Sequence, residues 1–144
     1  MTDVVRISRI IDAPLDFVYR WCTDYREDDY RITRSKSRRR ILERTRRRVV
    51  YTTREKGKSM GSASIVTLHP SDAWHVNSIG DDRDIVGDYR LTKLAGGRTR
   101  LGIVFKVERK SPRAPSKSQF LKHINGIWDR YIARLEKDYR RHRE

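Results

Sequence analysis

The sequence predicts an α+β domain in which an antiparallel sheet is covered by a long C-terminal helix. Three patterns indicate this class. Residues 4–11 alternate like a strand, residues 37–109 form strand-like runs separated by turn signals, and residues 116–141 carry an apolar stripe at helical spacing. A length of 144 residues suits one domain, and the chain has no repeat or linker. We therefore expect a single domain over residues 1–144.

The N-terminal segment predicts one strand followed by two short helices. Asp12-Ala13-Pro14 ends the strand, and proline is favoured in the first turn of a helix. Apolar residues from Leu15 to Cys22 then follow helical spacing. We expect a second short helix over Asp24–Tyr30.

Six more strands are predicted between residues 37 and 109. Turn signals divide them at Glu55–Lys58, His69–Asp72, Gly80–Asp82 and Ala95–Gly97. In the last hairpin we pair Leu91 with Leu101, Tyr89 with Ile103, Gly87 with Phe105, and Ile85 with Val107. This register makes one face apolar and leaves the other charged, as in a half-buried antiparallel sheet.

The C-terminal helix begins at a capping-box pattern, Ser116-Lys117-Ser118-Gln119, and is predicted to end near Arg141. Apolar residues recur at intervals of three and four from Phe120 to Tyr139. The resulting stripe is broad enough to cover a sheet.

Charge and cysteine usage restrict the class of protein. The chain has 34 Lys and Arg against 19 Asp and Glu, a net charge of +15. Its single cysteine, Cys22, excludes an internal disulfide and a four-cysteine zinc site. No run approaches the ~18 apolar residues of a membrane span, and residues 1–6 lack a signal-peptide layout. We expect a cytoplasmic protein without metal or cofactor.

The positive charge is concentrated in two segments. Residues 31–58 hold 13 basic and 2 acidic residues, and residues 106–144 hold 12 and 5. Seven arginines lie between Arg38 and Arg48, interleaved with apolar residues in the manner of a hairpin. Arginine-rich composition with few Asn, Gln, Met and Cys is also compatible with a thermophilic source, in which arginines serve surface ion pairs.

Several stretches are similar to those of the START-like superfamily, which includes polyketide cyclases, dehydrases and lipid-transport proteins (SRPBCC proteins). These are Val4–Ser8 leading into Ile11–Tyr19, Gly87–Leu91 followed by Gly96–Leu101, and Ile127–Tyr131 on the last helix. The resemblance implies a helix-grip fold, with a curved sheet wrapped around the C-terminal helix. It also implies an apolar cavity between sheet and helix, and no universal catalytic motif.

This resemblance and the predicted faces define candidate site residues. The expected cavity lining is Tyr30, Tyr51, His75, Asn77, Tyr89, Leu91, Ile103, Phe105, Ile124, Ile127, Trp128 and Tyr131, although the same residues could simply pack as core. Histidine is the side-chain type that ordinarily titrates near neutral pH, so we take His75, with Tyr51, as the candidate acid–base residues. The candidates for holding an anionic group are Arg38, Arg39, Arg40, Arg46, Arg47 and Arg48.

Three functions are compatible with these sequence features. The leading hypothesis is binding or transport of a hydrophobic or amphipathic small molecule in the cavity. The first alternative is a cyclase-like or dehydratase-like reaction in the same cavity. The second is binding of nucleic acid or an anionic surface through the hairpin at residues 38–48.

Overall fold

The computed structural model describes residues 2–55 and 61–143. These residues form the strands and helices β1 (Thr2–Ile11), α1 (Leu15–Cys22), α2 (Tyr30–Thr33), β2 (Ser37–Arg44), β3 (Arg48–Glu55), β4 (Gly61–His69), β5 (Ala73–Gly80), β6 (Arg83–Leu94), β7 (Arg98–Arg109) and α3 (Lys117–Arg143). The strands form one antiparallel open sheet in the order β1-β7-β6-β5-β4-β3-β2. The predicted α+β class is therefore confirmed.

The first short helix follows the sequence pattern, whereas the second does not. Pro14 immediately precedes α1. The prediction of a helix over Asp24–Tyr30 is wrong, because α2 begins only at Tyr30. Tyr25 has a φ of +34°, in the left-handed region, which interrupts a right-handed helix at that point.

Strand register in the last hairpin is as predicted. Leu91 faces Leu101, Tyr89 faces Ile103, and Gly87 faces Phe105. The inward side chains of β7 are almost fully buried, with Leu101, Ile103 and Phe105 exposed by 3% or less. This inner face of the sheet forms the core together with α1 and α3.

The arginine-rich segment forms the β2–β3 hairpin at the edge of the sheet. A bulge at Leu42 divides β2: Ile41 faces Tyr51, and the next pair is Glu43 with Val50. Arg39 and Ile41 share the inner face before the bulge, and Arg44 joins them after it. The turn signal at Glu55–Lys58 lies largely outside the described residues.

Helix α3 begins at the predicted capping box. The Ser116 N–H donates to Gln119 Oε1 at 2.9 Å, and the Gln119 N–H donates to Ser116 Oγ at 3.3 Å. The helix is tied to β1 by Arg9 Nη2, which donates to Asn125 Oδ1 at 2.5 Å. None of the helices in the described part of the chain is long and apolar enough to cross a membrane.

Candidate functional site

A cavity of about 500 Å³ lies between the inner face of the sheet and α3. The α1–α2 segment, the hairpin and the neighbouring strands provide its remaining walls. Its lining residues are Trp21, Cys22, Asp24, Tyr25, Arg26, Asp28, Asp29, Arg31, Ile32, Arg39, Tyr51, Val76, Tyr89, Ile124, Ile127, Trp128, Tyr131, Arg134 and Asp138. The cavity therefore combines aromatic and aliphatic walls with a set of charged groups.

Aromatic rings form much of the wall. Tyr25 stacks on Tyr51 with ring centroids 5.7 Å apart, on the side formed by the α1–α2 segment and the hairpin. On the helix side, the ring of Tyr131 contacts Trp128 at 5.2 Å and Trp21 at 5.8 Å. Surfaces of this kind offer flat contact area to a ligand that carries rings.

Arg39 brings a positive charge into the cavity. Its side chain is only 16% exposed, and its Nη1 donates to Asp29 Oδ2 at 2.5 Å and to the Arg26 carbonyl at 2.9 Å. The guanidinium carbon lies 4.7 Å from the ring centre of Tyr51 and 5.2 Å from that of Tyr25. Arg39 thus connects the edge strand β2 to the acidic loop before α2.

The ionisation of these groups is governed by burial and by Arg39. Burial raises the pKa of the Tyr25, Tyr89 and Tyr131 hydroxyls, that of Tyr131 to about 12, although Arg39 lowers each of them in part. Burial lowers the pKa of Arg39 itself, but Tyr51, Tyr131 and Asp29 outweigh it and the net shift is upward. At neutral pH the cavity therefore presents a guanidinium beside three protonated phenols.

Burial also raises the pKa of the Cys22 thiol. The protonated thiol is a poor nucleophile, because the thiolate is the reactive form. Cys22 serves as part of the cavity wall, a position that the sequence did not indicate.

Half of the predicted lining residues face this cavity. They are Tyr51, Tyr89, Ile124, Ile127, Trp128 and Tyr131. Three others, Leu91, Ile103 and Phe105, are on the same inner face but are buried in the packed core rather than lining the space. Tyr30 lies outside the lining, where the Arg38 guanidinium covers its ring at 3.7 Å.

The prediction that His75 and Asn77 line this cavity is wrong. Both side chains are on the outer face of the sheet, because the inward residues of β5 are Trp74 and Val76. His75 Nδ1 lies 2.6 Å from Asp88 Oδ1, at a separate surface depression of about 600 Å³. His75 is therefore no longer a candidate for chemistry in the cavity, and Tyr51 is retained.

Several lining residues were not anticipated, and for two of them a signal existed. Val76 is an apolar residue between two polar ones, so alternation alone indicates that it faces inward and that its neighbours face outward. Trp21 continues the apolar spacing of α1. Tyr25 and Asp29 carry no such signal, since they belong to an irregular loop.

The predicted anion-binding arginines have different environments. Only Arg39 faces the cavity, while Arg38 lies on Tyr30 and Arg48 Nη2 pairs with Glu43 Oε1 at 2.7 Å. Within the described ranges, the side chains of the other three have no ion-pair or hydrogen-bond partner; these are Arg40, Arg46 and Arg47.

Several solved structures superpose on nearly the whole of this chain, although their sequence identity to it is low. The Zhui aromatase/cyclase from Streptomyces sp. R1128 superposes with a TM-score of 0.76 at 14% identity, covering 95% of each chain. The protein TTHA0849 from Thermus thermophilus superposes with a TM-score of 0.72 at 17% sequence identity, covering 92% of this chain and 97% of that one. A START superfamily protein from Mycobacterium smegmatis superposes with a TM-score of 0.66 at 16% sequence identity, covering 96% of this chain and 97% of that one.

These likenesses define the fold. Neither a protein-family model nor a curated protein sequence matches the chain. The order of elements, the open seven-stranded sheet and the long C-terminal helix are those of the START-like, helix-grip fold that the sequence motifs predicted. A fold of this kind hosts different functions, which depend on the residues that line the cavity.

Proposed function

We propose that the protein binds a hydrophobic or amphipathic small molecule in the cavity between the sheet and α3. The observation that carries the proposal is a space of about 500 Å³ walled by aromatic rings and containing the largely covered guanidinium of Arg39. Small-molecule sites are typically of this size, mostly apolar, with a few placed polar groups. The rings would pack against the body of the ligand, and Arg39 with the tyrosine hydroxyls would orient its polar end.

The structural comparisons support this proposal at the level of class. One similar structure is named as an aromatase/cyclase and another as a START superfamily protein. A cyclase-like or dehydratase-like reaction in the same cavity is the alternative. Of the two acid–base candidates from the sequence, only Tyr51 lines the cavity.

Filling the cavity tests the proposed function. Ile127→Trp places a larger side chain in the lining, whereas Ile79→Trp adds the same ring on the outer surface, where Ile79 is 64% exposed. We expect the uncharged fluorescent probe N-phenylnaphthylamine to bind the wild type and Ile79→Trp, and to bind Ile127→Trp at least about tenfold more weakly. Circular dichroism checks that both variants are folded.

Native mass spectrometry of protein isolated from cell lysate gives a second readout. We expect a non-covalent small molecule on the wild type and none on Ile127→Trp. Equal probe binding by all three proteins would place the probe outside the cavity and would contradict the proposed function.

Polyanion binding by the β2–β3 hairpin is a second candidate function. The observation that favours it is a group of arginine side chains at its turn and outer face that have no partner among the described residues, Arg40, Arg46 and Arg47. Phosphates would neutralise such a cluster and release counterions.

A further inference from the structure

The lining of the cavity has a charge balance unlike that of the whole molecule. The protein has a net charge of +15, yet its cavity is lined by four aspartates and four arginines, whose formal charges sum to zero. The deepest of these pairs is Asp29 with Arg39, whose side chains are 19% and 16% exposed. The other acidic lining residues are Asp24, Asp28 and Asp138. The guanidinium of Arg39, the least exposed of the four that line the cavity, is therefore already paired with a negative charge before any ligand binds.

This pairing changes what Arg39 can recognise. An unpaired guanidinium in a partly dry cavity binds carboxylate, sulfonate or phosphate strongly. Here Nη1 of Arg39 already donates hydrogen bonds to Asp29 Oδ2 and to the Arg26 carbonyl. An anionic ligand would have to displace Asp29 or lie beside it, and like charges a few ångströms apart repel strongly where water is excluded.

An uncharged ligand meets no such obstacle. The guanidinium of Arg39 lies against the rings of Tyr25 and Tyr51, and the hydroxyl of Tyr131 lies in the same cluster. These groups can hydrogen-bond to carbonyl or hydroxyl oxygens without any change in the Asp29 pair. The pair thus accommodates a neutral polar group and disfavours a second anion.

We propose that Asp29 sets the charge selectivity of the cavity, so that the cavity takes uncharged amphipathic molecules and rejects anions of the same shape. This inference rests on the proposed function, since it concerns ligands of the same cavity. Asp29 acts through Arg39 and is a specificity-determining residue.

A matched pair of probes tests the inference. N-phenylnaphthylamine and anilinonaphthalene sulfonate share their ring system and differ in one sulfonate group. We expect the wild type to bind the uncharged probe at least about tenfold more tightly in the cavity. Asp29→Asn keeps the shape of the side chain and frees Arg39, so we expect it to bind the sulfonate about tenfold more tightly than the wild type, with the uncharged probe unchanged.

Two controls isolate the cavity and the arginine. Because the surface is strongly basic, sulfonate signal that persists in Ile127→Trp is surface binding and is subtracted. In the double variant Asp29→Asn with Arg39→Gln, we expect sulfonate affinity to return to the wild-type value. Sulfonate should also raise the melting temperature of Asp29→Asn more than that of the wild type, because a ligand stabilises the state that it binds.

The outcomes separate the two proposals. If neither probe binds in the cavity, the proposed function fails and the inference fails with it. If both probes bind the wild-type cavity equally, or Asp29→Asn leaves their ratio unchanged, ligand binding stands and the role of Asp29 is overturned. If Asp29→Asn does not fold, equal binding of both probes by the wild-type cavity still overturns the inference.

Discussion

At the scale of single residues, the cavity is a place where ionisable side chains are held in one protonation state. Burial favours the neutral phenols of Tyr25, Tyr89 and Tyr131, while Arg39 remains charged beside the carboxylate of Asp29. The hydroxyl groups can therefore donate hydrogen bonds but are poor bases at neutral pH. This chemistry suits recognition better than proton abstraction.

The raised tyrosine pKa values predict a loss of stability in alkali. For a group whose pKa is higher in the folded state, the stabilisation is complete below the unfolded value, here 10.0, and is lost as the pH rises through the folded value, about 12 for Tyr131. We therefore expect the free energy of unfolding to fall between pH 10 and 12, because these phenols ionise more readily in the unfolded chain.

Tyrosinate absorbance and circular dichroism, recorded on the same sample, measure the two events together. We expect absorbance from the cavity tyrosines to rise only with unfolding. A folded protein in which all seven tyrosines have already ionised would contradict the prediction. The Tyr131→Phe variant should lose less of its free energy of unfolding over this pH range, because it lacks one of the buried phenols.

At the scale of elements, two glycines in adjacent strands have opposite roles. A Cβ added at Gly87 on β6 would lie 2.9 Å from Tyr89 Cε1 and 3.2 Å from Phe105 Cε1, so the rings close over this position. At Gly102 on β7, the nearest neighbour of an added Cβ is the Arg90 carbonyl at 4.0 Å. Gly87 is required by packing around the cavity wall, whereas Gly102 is not.

Alanine substitution distinguishes these two positions. We expect Gly87→Ala to lower the free energy of unfolding by about 1–3 kcal/mol, because Tyr89 and Phe105 must shift in a packed core. Gly102→Ala is the matched control and should change it by less than about 1 kcal/mol, in the stabilising direction. Urea denaturation measures both. Equal losses would mean that the rings do not restrict Gly87.

The elements that the sequence predicted are those specified by local pattern. Alternation of apolar residues predicted the register of Tyr89 with Ile103, and a four-residue motif predicted the start of α3 at Ser116. The Asp29–Arg39 pair joins β2 to an irregular loop in which Tyr25 has a positive φ. No periodicity encodes such a contact, so the charge pair of the cavity became visible only in the structure.

At the scale of the whole molecule, some of the 34 Lys and Arg side chains are paired with acidic groups on the surface, and the net charge of +15 is what the 19 acidic residues leave unbalanced. The exposed pairs include Arg20 with Asp16 at 4.0 Å and Arg48 with Glu43 at 2.7 Å. Such pairs contribute about 0–1 kcal/mol each. The hairpin arginines that have no partner in the described ranges are available to a polyanion.

A salt series on duplex DNA tests this second candidate function. If the hairpin binds phosphates, we expect affinity to fall steeply with salt, and replacing Arg46 and Arg47 by Gln should reduce the slope of log affinity against log salt by about 2. Replacing Arg98 and Arg100 by Gln removes the same charge at the β6–β7 hairpin and should have a smaller effect. Affinity that hardly depends on salt would exclude phosphate-driven binding.

The bulge at Leu42 gives the edge strand one residue more than its ladder requires. Ile41 and Glu43 already pair with consecutive residues of β3, so loss of Leu42 would leave a regular ladder with every remaining side chain on its present face. If Arg40 were lost instead, Leu42 could take the inward place of Ile41 while Arg39 kept its partner on β3. A single-codon deletion in this part of the strand would therefore leave the contact of Arg39 with Asp29 in place, and chain length can vary here without altering the chemistry of the cavity.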